Sequence, residues 1–374
     1  MKKPKIAFFD IYNPIPVNSG GDWYRYQILS GLTDNYDVCF FYTIKNKDQN
    51  GFTPENIKFK IKYLDSAVDW GRKQIQAIRP EFLINDPFCD GFVPDVVFSS
   101  VYTYHIAKKF SKKYRAKMVL VMHNIEKEYL KNLGSLVYIP VGYYERYIIK
   151  NAWSILTISE HDGDYARKYT NNDKVFVVPP KMNLDIFTPD GVEHSYEKKF
   201  CNILFYGSLD REQNIGALRF IKFELLPLLK KRDLMNRIKI NIFGSGTPPK
   251  FLNLESDSDI NFFGSVQDAG RYIRGSDIVI VPVKNSGGMK IRILESLLCG
   301  KPTIAPKEAV LGVPDEIKKY VMIADSSEDF LRCIHQIIDN PELFSPNVDA
   351  IRKALVDKSF DKFLNHLSDS LKKD

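Results

Sequence analysis

The segment Ser286-Gly287-Gly288-Met289-Lys290-Ile291-Arg292-Ile293-Leu294-Glu295 gathers two glycines, two cations and a carboxylate in one short stretch. Such a set suits anion binding. Glycine lets backbone amides approach a phosphate closely, and a helix opening there presents its positive end. The spacing predicts a helix from about Gly288 to Cys299. Ile291, Ile293, Leu294, Leu297 and Leu298 then cover one broad face, while Gly288, Arg292, Glu295 and Ser296 line the other. Helical side chains lean toward the N-terminus, so Arg292 and Glu295 tilt toward the glycine turn. A carboxylate there can accept two hydrogen bonds from vicinal ribose hydroxyls, and Lys290 or Arg292 can offset a diphosphate. The same two residues, three apart, also make an ordinary surface pair worth about 0.2 to 0.5 kcal/mol. Spacing does not choose between these readings.

Further glycines stand where apolar runs end: Gly207-Ser208, Gly244-Ser245-Gly246 and Gly264-Ser265, the last followed by Val266. Each could be a tight turn, but several at one sheet edge favour a bound phosphate or sugar. Asn18-Ser19-Gly20-Gly21 follows the first apolar run and predicts an anion nest before a helix starting near Asp22. No GxGxxG is present, which disfavours a dinucleotide-binding fold. His123 ends another apolar run, where satisfaction by local backbone and a functional role weigh equally. Glu126 and Glu128 follow it and could act as general bases, although their helix reads as exposed. Asp257-Ser258-Asp259 imitates a metal-binding pair but reads as a solvated turn, so no metal site is expected.

Positioning these groups falls to a pattern repeated from end to end, a short β-branched or aromatic run and then a longer amphipathic stretch. It predicts an α/β chain with parallel sheets. Strands are expected near residues 5–12, 37–43, 95–100, 117–124, 154–159 and 174–180, and again near 202–208, 238–245, 260–265, 277–283, 301–306 and 320–325. The chain's 374 residues suit two domains. The expected division is 1–187, a polar linker 188–199, a second domain 200–345, and terminal helices 346–374 packing back toward the first. Doubly wound domains bind ligands at the carboxyl ends of their strands, so two facing each other would meet across a cleft.

Composition narrows the function classes. The five scattered cysteines make no metal or redox pair, and the net charge of +7 is modest. No RNA or DNA motif appears, so nucleic acid is not an expected partner. No apolar run approaches the roughly 20 residues needed to span a bilayer, and the start does not read as a signal peptide, so a cytoplasmic location is expected. The basic cluster Lys108, Lys109, Lys112, Lys113, Arg115 and Lys117, with the aromatic stretch from Tyr138 to Tyr147, suits peripheral contact with an anionic membrane. A solvated helix face and a packed core helix explain them equally well.

At this point the sequence resembles the glycosyltransferase group 1 family, the mostly retaining GT-B enzymes. The second half carries the resemblance through FYGSLDREQN from Phe205, NIFGSG from Asn241, INFFGSVQD from Ile260, SDIVIVPV from Ser276, GGMKIRILESLLCGKPTIAP from Gly287, and Gly312. Weaker matches are Gly20-Gly21, His123-Asn124, ILTISE before His161 and VVPPKMNLDIFTP. The resemblance implies two Rossmann-like domains facing across a cleft, the second holding a nucleotide-sugar, UDP- or GDP-linked, and the first the acceptor. It makes Glu295 the ribose ligand, Gly287, Gly288 and Met289 the diphosphate turn, Gly20 and Gly21 the loop over the phosphates, and His123 a neighbour of the donor sugar. Gly207, Ser208, Gly244, Gly246, Val266 and Lys290 join the expected donor contacts, and His123, Lys290 and Arg292 the expected catalytic set. No cofactor is implied.

Two departures stand out. The family often has a glutamate where this chain has Gly287, and a basic pair where it has Ser208 and Asn214. The expected activity is hexose transfer to a saccharide or lipid-linked glycan, with retention, in cell-surface glycan synthesis. The alternative is a noncatalytic sugar-nucleotide-binding subunit of a transferase complex.

Overall fold

The computed structural model of the chain describes residues 3–17, 20–44, 53–64, 92–284, 289–355 and 359–372. Its contacts divide it into two units, Met1–Pro180 with Asp357–Asp374, and Lys181–Val356.

The first unit is built on a parallel sheet of seven strands: β1 Lys5–Tyr12, β2 Asp37–Ile44, β3 Lys60–Tyr63, β4 Val96–Ser100, β5 Lys117–Met122, β6 Ser154–Thr157 and β7 Val175–Val177. Their order is β3-β2-β1-β4-β5-β6-β7. Strand β1 shows why the central strands form. Ile6 through Asp10 are all buried, because parallel sheets are covered on both faces and their strands read as unbroken apolar runs. Alternate residues then serve different cores. Ala7, Phe9, Cys39, Phe41, Val97 and Leu120 pack on one face, and Ile6, Phe8, Val38, Phe40, Phe98 and Val119 on the other. Helices α1 Gly20–Leu32, α2 Tyr104–Tyr114, α3 Glu126–Asn132, α4 Tyr138–Asn151 and α5 Glu160–Arg167 accompany this sheet.

The second unit repeats the plan with β8 Cys201–Tyr206, β9 Ile238–Phe243, β10 Ile260–Phe262, β11 Ile278–Ile280, β12 Thr303–Ala305 and β13 Val321–Ile323, ordered β10-β9-β8-β11-β12-β13, all parallel. Helices α6 Glu212–Phe220, α7 Ala269–Gly275, α8 Ile291–Leu298, α9 Ser327–Asp339 and α10 Val348–Leu355 belong to it. In both sheets the first strand sits mid-sheet and the chain winds outward one way and then the other. Each sheet therefore has a switch point, between β1 and β4 and between β8 and β11, where the carboxyl ends open a crevice.

The terminal helices divide between the units, in contrast to the expected return of all of 346–374 to the first. Ile351 of α10 is fully buried in the second unit's core. The last helix, α11 Ser359–Leu371, joins the first unit, its Phe363 edge-on to Phe98 and Phe176. The polar stretch expected as linker also belongs to the second unit. Arg274 of α7 is buried and donates to the carbonyls of Ile186 at 2.8 Å and Val192 at 3.1 Å, while His194 stacks on Tyr272. A buried guanidinium needs acceptors, and this irregular backbone supplies them.

Candidate functional site

In the second unit the exits of β8 and β9 are laced together before any ligand is considered. Gly244 tolerates no side chain, since a Cβ there would lie 1.8 Å from the Gly207 carbonyl oxygen. The Leu209 amide donates to the Ser245 carbonyl at 2.7 Å, and Asn214 Nδ2 donates to the Ser208 carbonyl at 2.7 Å. Gly207 itself has φ +152, and a Cβ on it would meet the Arg292 guanidinium at 2.7 Å. Glycine is thus required here twice over, by backbone conformation and by the cation that fills the space.

That cation comes from α8, across the switch point. Arg292 donates Nη1 to the Tyr206 carbonyl at 2.7 Å and Nη2 to Asn214 Oδ1 at 2.9 Å, and its guanidinium lies over the Phe205 ring. Its neighbour one turn on, Glu295, makes no ion pair with it. Glu295 Oε2 instead accepts from the Tyr206 hydroxyl at 2.9 Å. Among the described residues, Oε1 has no hydrogen-bond partner. Burial raises the Glu295 carboxyl above its ordinary range, opposed by the Tyr206 hydroxyl and the Arg292 charge. Burial likewise lowers Arg292, with Tyr206 and Glu295 opposing. The ordinary surface pair that spacing allowed is therefore not what forms. Both side chains turn onto β8.

The helix begins at Ile291, later than the expected Gly288, with Lys290 as its N-cap residue. Lys290 is almost fully buried, and Met289 packs against Gly312, where a Cβ would come 2.9 Å from the Met289 Cα. Gly287 and Gly288 lie outside the described residues. Gly246 is exposed with φ +77, and Val266, on the loop after β10, packs against the second unit's core. The structure brings Gly207, Ser208, Gly244, Arg292 and Glu295 together around Tyr206. The Asp257-Ser258-Asp259 turn is occupied otherwise, with Asp257 paired to Lys222 and Asp259 to Lys230.

The first unit places a different chemistry at its own switch point. Asp10, at the end of β1, is buried and accepts from Arg25 Nε at 2.5 Å and from the Ile11 amide at 2.7 Å. Arg25 also reaches Asp22 at 3.1 Å. Burial alone would raise the Asp10 carboxyl, but the Arg25 charge and His123 outweigh it and hold it far below the usual range. His123 Nε2 stands 3.5 Å from Asp10 Oδ2, longer than a well-formed hydrogen bond, and both ring nitrogens are buried without a hydrogen-bond partner. Burial and the Arg25 charge lower its pKa, against the pull of Asp10 and Asp22. Gly20 and Gly21 are the first two residues of α1, helical rather than a separate nest; Asn18 and Ser19 lie outside the described residues.

Glu126 corrects another expectation. It is buried, not exposed, and accepts a short hydrogen bond from the Tyr102 hydroxyl. Burial, with help from Asp10, pushes it up to about 7. The α3 amides of Glu126 and Lys127 donate to Glu145 of α4 at 2.7 and 3.0 Å, so a side chain from the next helix caps this one. Burial and Glu126 push Glu145 up to about 8, against the pull of those amides. Glu128 pairs on the surface with His161 at 3.1 Å. Asp10, Arg25, Tyr102, Glu145 and Tyr206 were not picked out from sequence, and Asn214 only as a departure from the family's basic pair. Only Asp10 left a signal there, a charge inside an otherwise apolar run.

Comparison with known proteins agrees with this architecture. Residues 201–340 match the family model Glycosyl transferases group 1. A probable sucrose-phosphate synthase of Thermosipho melanesiensis is 25% identical over 230 residues, 54% of this chain and 50% of that protein, so the match spans half of the relative's length. Among solved structures, sucrose-phosphate synthase from Thermosynechococcus elongatus superposes with a TM-score of 0.71 at 12% identity, covering 99% of this chain and 100% of the other. HepE from Anabaena, solved in complex with UDP and glucose, gives 0.63 at 13% identity, covering 98% and 100%. WaaG, a glycosyltransferase of lipopolysaccharide biosynthesis, gives 0.60 at 15%, covering 94% of each. Residues 201–340 thus carry the match to the glycosyl transferases group 1 model, and the two wound sheets, superposed over nearly the whole chain, have the GT-B fold.

Proposed function

We propose that the chain transfers a hexose from a nucleotide-sugar to a saccharide or lipid-linked glycan. The observation that carries this reading is the seat of the Arg292 guanidinium. The family's basic pair falls at Ser208 and Asn214, and neither is basic here. Arg292 reaches that place from α8, bonded to Asn214 and packed against Gly207. The cation is thus restored from another element. A guanidinium and the amides of a glycine exit can stabilise a departing diphosphate without a metal. Glu295, with Oε2 held by Tyr206, offers Oε1 to a ribose hydroxyl. Lys290 adds charge at the helix start, and His123 orients the sugar in the role the resemblance implies. Retention of configuration, a UDP- or GDP-linked donor and a place in cell-surface glycan synthesis complete the reading.

Support from neighbours is of one kind: HepE was solved with UDP, and separately with UDP-glucose. A thermal-shift screen of UDP-, GDP-, ADP- and dTDP-sugars tests the proposal, since a bound donor raises apparent stability. One donor should stabilise the chain and release its nucleotide when acceptor is added. No shift with any of them would contradict it. The second reading, a binding subunit without turnover, is favoured by Gly287 alone, and a shift without nucleotide release would select it.

A further inference from the structure

The surface of α4 and the turn before it carries a feature the proposed site does not use. Leu136 is 80% exposed, Ile139 48%, Tyr143 67% and Tyr147 43%. The last three recur every four residues on one helix, so they form a single stripe, continued by Leu136 at its start. The opposite face of the same helix is buried through Val141, Tyr144, Ile148 and Ile149. A helix that is apolar toward its core and again toward solvent has a second apolar partner to find.

Charge says which partner. Between Tyr129 and Ala152 the only acidic residue is Glu145, which is buried against α3. Between Tyr104 and Met118, spanning α2, there is none. The two helices meet where Lys108 donates to the Tyr147 hydroxyl at 2.7 Å and lies over its ring, while His105 stacks on Tyr144. Arg146 lies over Tyr143 in the same way. Cations thus stand beside tyrosines along an apolar stripe, with no acidic side chain from either helix facing solvent. A protein partner's apolar face does not require that bias. A bilayer with anionic headgroups does, taking leucine and isoleucine into its acyl boundary, tyrosine at headgroup depth and lysine against phosphate.

We infer that the α2–α4 face of the first unit docks on an anionic lipid surface, with Leu136 and Ile139 entering it. Insofar as this says where a lipid-linked acceptor is met, it rests on the proposed transferase reading. The docking itself is read without donor or acceptor, so the two can fail separately.

The test is co-sedimentation of the full chain with vesicles of phosphatidylcholine alone or mixed with phosphatidylglycerol, with analytical ultracentrifugation of the lipid-free protein. Binding should need the anionic lipid, weaken with salt, and fall about tenfold or more in Leu136→Asp/Ile139→Asp and in Lys108→Glu/Lys109→Glu. Both variants should keep the wild-type melting temperature and any donor-induced shift. Equal binding to both vesicle types, or none to either, overturns the inference. So does unchanged binding by the folded variants, or a wild-type dimer that Leu136→Asp/Ile139→Asp dissociates, which would make the stripe an interface between copies of the chain.

Discussion

The ends of β1 and β8 hold equivalent places in two sheets of the same winding order, yet they solve opposite problems. At β8 the polar groups are backbone and hydroxyl, one guanidinium is fixed by a carbonyl and an amide, and one carboxylate oxygen has no hydrogen-bond partner among the described residues. At β1 the charges face each other, Asp10 against Arg25 and Arg25 against Asp22, with Glu126 close enough to feel both ends. On the proposed reading, the first arrangement receives an anion and a diol. The second spends its charges internally, and among the described residues the His123 nitrogens and the hydroxyl of Tyr24, whose ring lies edge-on to His123, are left without hydrogen-bond partners. Equivalent topology therefore sets where a ligand can sit, while the partners already taken decide which groups can meet it.

This contrast can be broken at β8 most severely by Gly244→Ala. The methyl would press on the Gly207 carbonyl, so the two exits must separate, at a cost of about 3 kcal/mol or more in a well-packed region. Nucleotide binding should be lost and the melting temperature should drop, both readable in one thermal-shift series. A variant with unchanged melting and donor response would show that the exits are not rigid. Next in size is Arg292→Lys. An ammonium cannot bond Tyr206 and Asn214 together, and turnover should fall about a hundredfold with little change in stability. Unaltered turnover in steady-state assays would remove Arg292 from the chemistry.

The first unit's distinguishing effect is smaller and depends on pH. Glu126 keeps its proton up to about 7, against an ordinary 4.5, so the folded chain binds more protons than the unfolded one in that window. Its contribution is full below the unfolded value and is lost as pH rises through about 7. Glu145 extends the decline to about 8. Urea denaturation across this range should show stability falling with pH, and Glu126→Gln should flatten the fall. An equally steep profile in the variant would mean that Glu126 is not the titrating group.

Much of this was legible in the sequence. Central strands such as Phe8–Phe9 and Val96–Val97 announce themselves because both faces are covered, and glycines at 207 and 244 mark close backbone approach. Edge strand β3 was not read, since Lys60–Tyr63 is short, half-exposed and alternates with lysine. Pairings were not legible either. Tyr206 and Glu295 are 89 residues apart, and Glu145 caps a helix 19 residues earlier, so each contact exists only once strand order and helix packing are set. The sequence offers Lys290 and Arg292 as cations where Ser208 and Asn214 carry none, but not which of the two bonds Asn214, which the packing of α8 against β8 decides.

The central claim, that this strand-exit cradle in the second unit holds a nucleoside diphosphate through Glu295 and Arg292, is tested most directly by isothermal titration of UDP and GDP into the wild type and Glu295→Ala. One nucleotide should bind the wild type, and the variant, folded to the same melting temperature, should bind it about ten- to a hundredfold more weakly. Equal affinity in the two proteins would contradict the account.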